Sequence, residues 1–237
     1  MTGEPLVLIP PMLCDARVFG PVIDGLSSQY PVLFAPTIYG ERIEEIAAHI
    51  LRWAPPSFAV LGLSMGGPVA LEIQRTAPER VNRIALMNCT AQAETPEAAS
   101  AREPLIVAAR SGRFADVIAQ EMKPDWLAPG PLRNAVLQLV TDMAHRLGPE
   151  AYVAQARAMQ RRRDYQRVLR EIRKPSVVIC GQEDTLYPVR RHQFMSELIP
   201  YGRLEVVAGA GHLPPLEEPA AVNMILRDWM RQPLVLR

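Results

Sequence analysis

Residues 58–67 read Phe-Ala-Val-Leu-Gly-Leu-Ser-Met-Gly-Gly and join an apolar run to a helical pattern. From residue 58 to residue 63 every position is hydrophobic or glycine, which is typical of a strand buried on both faces of a parallel sheet. Residues 65–76 predict the helix that follows. A buried strand, a tight turn and a helix in this order predict one unit of an α/β fold.

The alternation of strands and helices continues on both sides of this unit. Five more apolar runs predict strands, at residues 6–9, 32–35, 84–87, 177–180 and 204–207. Helical stripes accompany them, at residues 18–26, 43–51 and 195–199, and a final helix is predicted to start near Pro219. Because parallel strands are linked by right-handed crossovers, these elements predict a doubly wound, mostly parallel sheet of six strands.

The strand pattern stops between residues 91 and 174. Three apolar stripes, which begin near Leu132, Tyr152 and Val168, predict helices there. We therefore divide the chain into an α/β core of residues 1–90 and 175–237 and a helical cap of residues 91–174, inserted after the fourth strand. An insertion at the carboxyl ends of the strands is well placed to cover a pocket.

The turn after the third predicted strand carries the pattern Gly62-Leu63-Ser64-Met65-Gly66. In a nucleophile elbow of this kind, a strained strand-to-helix turn raises the serine Oγ above the sheet. Glycine serves at Gly62 and Gly66, because a Cβ there would collide with neighbouring elements. The N–H of Met65 lies at a helix N-terminus, where it can donate to a developing oxyanion. Ser64 is the predicted nucleophile; the alternative is that these residues merely form a turn.

A serine hydroxyl needs a base, oriented by an acid, to act as a nucleophile. The acid and then the base follow a G-x-S-x-G elbow in the chain. The fifth predicted strand runs into Gly-Gln-Glu-Asp at residues 181–184, so Asp184 lies just past its carboxyl end and is the predicted acid. Glu183 is the alternative, whereas Glu217 and Glu218 are predicted to cap the final helix.

The base is found among four histidines. His212 follows the sixth predicted strand in the sequence Gly-Ala-Gly-His, where small residues allow an imidazole to approach the serine. His49 is predicted to be structural or exposed, and His145 and His192 are predicted to face solvent on helices. His212 is therefore the predicted base.

Together these segments resemble the signature blocks of the α/β-hydrolase superfamily. The resemblance rests on Gly-Leu-Ser-Met-Gly-Gly at residues 62–67, Gly-Gln-Glu-Asp with Pro188, and Gly-Ala-Gly-His with Glu218-Pro219. It covers nearly the whole chain outside the insertion and is nearest to the capped branch of esterases, lactonases and carbon–carbon hydrolases. The insertion resembles the helical cap of that branch only in its placement. The resemblance implies a serine hydrolase.

Two departures from the family pattern concern the first strand. Members usually carry His-Gly after it, and the next N–H completes the oxyanion hole; here the sequence is Pro10-Pro11-Met12. Since proline has no N–H, Met12 is the predicted donor by position. Members also often begin with an antiparallel hairpin, whereas only five residues precede Leu6, so we expect all six strands to be parallel.

The expected reaction is a two-step acyl transfer on a small or medium, mostly uncharged carboxylic ester or lactone. The same residues also serve cleavage of a carbon–carbon bond, an amide or a thioester, and perhydrolysis. Two further hypotheses stay open. One is a non-catalytic receptor that binds a small molecule in the capped pocket, and the other is an enzyme that uses Cys14 as its nucleophile.

The resemblance to serine hydrolases implies a small-molecule substrate as the partner. The net charge is +1, so nothing favours a nucleic-acid partner or an anionic membrane. The basic run Arg161-Arg162-Arg163 is predicted to be a solvated helix face, with an anionic-substrate site as the alternative. We expect no metal and no cofactor, because Cys and His are not clustered at ligand spacing. Sparse cysteines, no secretory signal and no apolar run of about 20 residues predict a cytoplasmic protein.

Overall fold

A computed structural model describes residues 3–234 of the chain. Within these residues, six strands form one sheet in which all neighbours are parallel. The strands are β1 (Leu6–Ile9), β2 (Val32–Phe34), β3 (Phe58–Leu63), β4 (Val81–Met87), β5 (Ser176–Gly181) and β6 (Gly202–Val207). The predicted number, positions and parallel arrangement of the strands are confirmed.

The order of the strands across the sheet is β2-β1-β3-β4-β5-β6. β1, β3 and β5 are buried at every position, as expected for strands covered on both faces. The edge strands β2 and β6 are only partly buried. The chain moves from β2 on one side of β1 to β3 on the other, so the carboxyl ends of β1 and β3 form a topological switch point, where such folds bind ligands.

Helices cover both faces of the sheet. Those within the described residues are α1 (Gly20–Leu26), α2 (Ile43–Trp53), α3 (Gly66–Thr76), α4 (Pro96–Ala101), α5 (Glu103–Arg110), α6 (Phe114–Glu121), α7 (Arg133–Gln160), α8 (Gln166–Glu171), α9 (Val189–Leu198), α10 (Pro214–Glu217) and α11 (Pro219–Arg231). α2, α3, α8 and α9 pack in the hydrophobic cluster of one face, and α1 and α11 in that of the other. None of the helices described is long and apolar enough to cross a membrane.

Helices α4 to α8 lie between β4 and β5, so the insertion after the fourth strand is helical, as predicted. α7 is broken at Gly148 (φ 81°), which is followed by Pro149. Two of the three predicted stripes, those that begin near Leu132 and Tyr152, therefore lie on the two helical segments of α7. The short helices α4, α5 and α6 were not predicted individually. Residues of α5, α6 and α7 form a hydrophobic cluster of their own, into which Leu13 of the core also packs.

The basic run after α7 differs from its prediction. Arg161 and Arg163 are exposed, but Arg162 is buried and forms an ion pair with Glu94 at 2.7 Å. The prediction of a solvated face is therefore wrong for Arg162. Its guanidinium also donates to the carbonyl oxygen of Gln92, so it ties the end of α7 to the segment that follows β4.

Candidate active site

The turn between β3 and α3 has the geometry of a nucleophile elbow. Ser64 has a left-handed backbone (φ 53°), which is costly for a residue with a side chain. A Cβ on Gly62 would lie 2.1 Å from the carbonyl oxygen of Gly66, and a Cβ on Gly66 would lie 2.1 Å from that of Ile9. Both positions therefore require glycine, and the tight turn keeps Ser64 at the carboxyl edge of the sheet.

Three predicted residues from distant parts of the chain meet at this edge. His212 Nε2 lies 3.0 Å from Ser64 Oγ, and His212 Nδ1 lies 3.0 Å from Asp184 Oδ2. Both separations are hydrogen-bond lengths, so a hydroxyl, an imidazole and a carboxylate form one chain of hydrogen bonds. Glu183, the alternative acid, is exposed.

The Asp184 carboxylate is buried and held by several donors. Its Oδ1 accepts the backbone N–H groups of Leu186 and Tyr187 at 2.9 and 3.2 Å, and its Oδ2 accepts from Asn88 Nδ2 at 2.7 Å. Burial raises the pKa of this carboxyl, but the hydrogen bonds and the neighbouring His212 outweigh burial and hold the pKa below its ordinary value. Asp184 is therefore ionised at neutral pH.

A second buried carboxylate holds the loop that carries His212. Glu217 accepts the backbone N–H groups of both residues that flank His212, at 2.9 and 2.7 Å, and that of Ala128 in the insertion at 2.7 Å. The prediction that Glu217 and Glu218 cap the final helix is wrong for Glu217, whereas Glu218 stands at the N-cap position of α11. The Glu217 carboxylate is turned inwards to these N–H groups, and the Glu218 side chain makes no capping hydrogen bond to α11.

The insertion also contacts His212 directly. The backbone N–H of His212 donates to the carbonyl oxygen of Trp126 at 2.7 Å. The rings of Trp126 and Tyr187 lie 6.1 and 5.7 Å from the imidazole, centroid to centroid. The His212 backbone is thus held by hydrogen bonds, and its imidazole packs against two aromatic rings in edge-type and tilted arrangements.

The other histidines lie apart from this chain of hydrogen bonds. His145 is exposed, as predicted, and His49 stacks on Tyr39 with 4.3 Å between ring centroids. His192 was predicted to face solvent, but it lies on the inner face of α9, fully buried, and its Nε2 accepts the N–H of Cys89 at 3.1 Å. Burial lowers the pKa of His192 to about 4, so this imidazole is neutral at neutral pH.

The loop after β1 approaches the serine from the other side of the switch point. Met12, Ser64 and Met65 all line one cavity. Across residues 3–234, neither Met12 nor Met65 has a protein acceptor for its backbone N–H. The next residue, Leu13, has a φ of 56°, and its N–H donates to Gln155 Oε1 at 2.9 Å.

A small cavity of about 190 Å³ lies beside Ser64 and His212. Its lining is mostly apolar and rich in methionine, with Met12, Met65, Met122, Met159, Leu137 and Val140 among its residues. Three charged side chains, those of Arg102, Glu121 and Lys123, also line it, and all three belong to the insertion. Residues of the helical insertion therefore line part of the cavity and include these three charged side chains.

Cys14 lines the cavity but is not set up as a nucleophile. Burial, together with the neighbouring Asp15, raises the pKa of its thiol to about 12. Such a thiol is protonated at neutral pH, whereas nucleophilic attack needs the thiolate. In the described part of the chain, no group of three or more His, Cys, Asp or Glu side chains is arranged to bind a metal ion.

Three buried polar residues around the site escaped the sequence analysis or were given another role: Asn88, Gln155 and Glu217. Asn88 directly follows the apolar β4, which is the signal that identified Asp184 after β5, so it could have been found. Gln155 lies between apolar residues of a helical stripe, and the sequence offers no further sign of its contacts.

A model of the alpha/beta hydrolase family matches residues 16–225 of the chain. The chain belongs to this family. The superfamily inferred from the signature blocks at residues 62–67, 181–184 and 209–212 is thereby confirmed.

Known relatives of this alpha/beta hydrolase carry names of several activities. It is 29% identical over 217 residues to a Cronobacter sakazakii protein provisionally named carbamate hydrolase RutD, over 90% of this chain and 77% of the relative. It is 28% identical over 198 residues to 3-oxoadipate enol-lactonase 2 of Acinetobacter baylyi, over 81% of this chain and 72% of the relative. A thermophilic esterase from Thermogutta terrifontis, solved with malate bound, superposes with a TM-score of 0.87 at 26% identity, over 97% of this chain and 90% of the esterase.

Proposed function

We propose that this alpha/beta hydrolase is a serine hydrolase that cleaves a small or medium, mostly apolar carboxylic ester or lactone. Ser64 is the nucleophile, His212 the base and Asp184 the acid. The observation that carries the proposal is the pair of 3.0 Å contacts from Ser64 Oγ to His212 Nε2 and from His212 Nδ1 to Asp184 Oδ2. An unassisted serine hydroxyl is a poor nucleophile, and this arrangement supplies the base that it needs.

In the first step, Ser64 Oγ attacks the substrate carbonyl carbon while His212 Nε2 takes the hydroxyl proton. The tautomer in which His212 Nδ1–H donates to Asp184 leaves Nε2 free to accept. The Asp184 carboxylate stabilises the protonated imidazole, which then gives its proton to the leaving oxygen. In the second step, a water molecule gives a proton to His212 and attacks the acyl-enzyme, which releases the acid and restores Ser64.

Backbone N–H groups of Met65 and Met12 stabilise the oxyanion in both steps. Met65 immediately precedes α3, where the helix dipole also favours negative charge. Met12 lines the same cavity as Ser64, which supports its role. One preorganised donor of this kind contributes roughly 10²–10³-fold to kcat.

The cavity and the relatives support an acyl substrate of modest size. An apolar, methionine-rich lining suits an uncharged acyl chain and adapts to different shapes. The relatives' names, carbamate hydrolase, enol-lactonase and esterase, agree with acyl transfer. In this proposal, residues 1–90 and 175–237 form the catalytic core and residues 91–174 form the cap over the cavity.

A substrate panel tests the proposal. It consists of p-nitrophenyl acyl esters of rising chain length, lactones, anilides, thioesters and β-diketones, with esters that carry a distal carboxylate or amine. We expect wild type to turn over esters or lactones, and Ser64→Ala and His212→Ala to lose on the order of 10⁶-fold in kcat. Ser100→Ala is the matched control, because Ser100 is exposed on α4. Near-full activity of Ser64→Ala would contradict the proposal.

Labelling with a fluorophosphonate separates an enzyme from a non-catalytic receptor of the same fold. The probe reacts only with an activated hydroxyl, so we expect it to label Ser64 in wild type and not in His212→Ala. A wild type that binds acyl compounds, yet neither hydrolyses the panel nor reacts with the probe, would be a receptor. Preferred turnover of anilides, thioesters or β-diketones would retain the three roles and change the substrate class.

A further inference from the structure

A buried glutamine of the insertion is bonded to two loops of the core. Gln155 lies in α7 and is fully buried. Its Oε1 accepts the backbone N–H of Leu13 at 2.9 Å, and its Nε2 donates to Thr37 Oγ1 at 3.0 Å. Leu13 belongs to the loop after β1, and Thr37 to the segment after β2. Both the oxygen and the nitrogen of this side-chain amide therefore form hydrogen bonds from the insertion to the core.

The backbone of Leu13 explains why the loop needs such a partner. Its φ of 56° lies in the left-handed region, which residues with branched side chains rarely adopt. Pro10 and Pro11 have no N–H groups with which the loop could brace its own turn. The Leu13 side chain, in addition, is buried in the hydrophobic cluster of the insertion. Leu13 therefore joins the loop to the insertion through both a backbone hydrogen bond and side-chain packing.

We propose that Gln155 is a positioning residue for the oxyanion hole, an inference that rests on the proposed function. By accepting the Leu13 N–H, Gln155 holds this residue in its left-handed conformation and fixes the turn that leaves the Met12 N–H free for the substrate oxyanion. Thr37 accepts from the other end of the amide. A flipped amide would turn its NH₂ group towards the Leu13 N–H and lose that hydrogen bond. Gln155 acts from behind Leu13 and is not part of the cavity lining.

This position predicts an effect on kcat more than on KM. Oxyanion donors contribute because they are in place before charge develops, and a displacement of about 1 Å is enough to lose much of their effect. Substrate binding in the ground state depends on the apolar side chains of the cavity lining, whereas Gln155 is not itself a lining residue and bonds to the backbone N–H of Leu13 rather than to a lining side chain. A change at residue 155 is therefore expected to destabilise mainly the transition state, which lowers kcat more than it raises KM.

Two glutamines on the same helix give a matched comparison. Gln155→Met removes both hydrogen bonds at similar side-chain length. Gln160→Met is the control, because the hydrogen bonds of Gln160 to Ala99 and Arg157 stay within the insertion. We expect Gln155→Met to lower kcat about 10–100-fold with KM within about threefold of wild type, and Gln160→Met to stay within about twofold.

A transition-state analogue separates positioning from general packing. An alkyl trifluoromethyl ketone adds Ser64 Oγ and carries its negative oxygen where the substrate oxyanion forms, whereas the product acid binds without this addition. In Gln155→Met, we expect the Ki of the ketone to rise by the factor by which kcat/KM falls, and the Ki of the acid to change by less than about threefold. An equal rise in both would show that Gln155 acts on packing alone and would overturn the proposal.

Amide hydrogen exchange tests the hydrogen bond between Leu13 and Gln155 whether or not the protein hydrolyses esters. We expect the Leu13 amide to exchange at least about tenfold faster in Gln155→Met than in wild type or Gln160→Met. Unchanged exchange, or unchanged kcat in an esterase-active protein, overturns the proposal. Thr37→Val, with a smaller expected loss of about 3–10-fold in kcat, supplies the same comparisons should Gln155→Met not fold. A wild type that hydrolyses nothing in the panel overturns the proposed function instead, and the exchange rates then test the hydrogen bond between Leu13 and Gln155.

Discussion

Asn88 Nδ2 donates a hydrogen bond of 2.7 Å to Asp184 Oδ2, the same oxygen that lies 3.0 Å from His212 Nδ1. Asn88 is fully buried, has a left-handed backbone (φ 43°) and donates as well to the carbonyl oxygen of Gly211 at 3.0 Å. One amide at the end of β4 therefore connects the acid after β5 with the loop that carries the base after β6.

Loss of this amide is expected to affect both stability and turnover. In Asn88→Ala a buried carboxylate loses a hydrogen bond, so we expect the free energy of unfolding to fall by about 1–3 kcal/mol and kcat to fall about tenfold. The pKa of Asp184 is expected to rise, because this bond helps to lower it. Urea unfolding and ester hydrolysis measure the effects. Asn223→Ala is the control, because it removes a hydrogen bond to the carbonyl oxygen of Pro21, which joins α11 to α1. The same kcat in both variants would count against the role of Asn88.

Glu217 offers a second comparison between neighbouring residues. In Glu217→Gln an NH₂ group must face at least one of the three backbone N–H groups that the carboxylate accepts. We expect a loss of about 1–3 kcal/mol in stability, with a lower kcat, because the His212 loop loses a support. Glu218→Gln is the control, and its stability is expected to stay within about 0.5 kcal/mol of wild type. Thermal unfolding that does not distinguish the two variants would refute this account.

His192 predicts a specific dependence of stability on pH. Its pKa falls from 6.5 in the unfolded chain to about 4 in the folded protein, so the folded protein binds this proton more weakly. Stability is therefore complete above pH 6.5, declines as the pH falls and has lost this contribution near pH 4. At about 1.4 kcal/mol for each pKa unit, the loss is on the order of 3 kcal/mol.

Urea unfolding between pH 4 and 7 measures this decline. His192→Gln has no titrating group at the position, so its stability is expected to change less over this range. The exposed His145→Gln is expected to decline as wild type does. Parallel curves for wild type and His192→Gln would assign the decline to other groups.

The elbow glycines are expected to tolerate no side chain. Gly62→Ala puts a Cβ 2.1 Å from the carbonyl oxygen of Gly66, a contact that only a backbone shift relieves. We expect a loss of about 3 kcal/mol or more, together with loss of ester hydrolysis. In Gly130→Ala the new Cβ meets nothing within 4 Å, so stability within about 0.5 kcal/mol of wild type is expected. Equal stability of the two variants would show that the elbow relaxes readily.

The fold and the three central side chains were predictable because their signals are local. An apolar run such as Phe58–Leu63 marks a strand covered on both faces, whatever it packs against. The carboxyl ends of parallel strands share one edge of the sheet. Polar residues in the loops that follow strands of this sheet, as Asp184 and His212 are, therefore point to a common site.

The supporting contacts were not predictable because their partners are distant in the chain. Leu13 and Gln155 are 142 residues apart, and no spacing rule relates them. His192 was wrongly predicted to be exposed because its arginine neighbours were read as marking a solvent face, whereas the phase of α9 turns it inwards. Helices α4, α5 and α6 have six to eight residues each, too few for a clear stripe.

The insertion is hydrogen-bonded to two loops of the core. Gln155 bonds to the loop after β1, and Trp126 and Ala128 bond to His212 and Glu217 in the segment after β6. A chimera that exchanges the insertion for that of a relative, in order to admit other substrates, also replaces Gln155, Trp126 and Ala128. The new insertion therefore has to supply equivalent hydrogen bonds to Thr37, Glu217 and the loops of the core. Under the proposed function, we therefore expect an exchange of the insertion to alter substrate range and catalytic rate together.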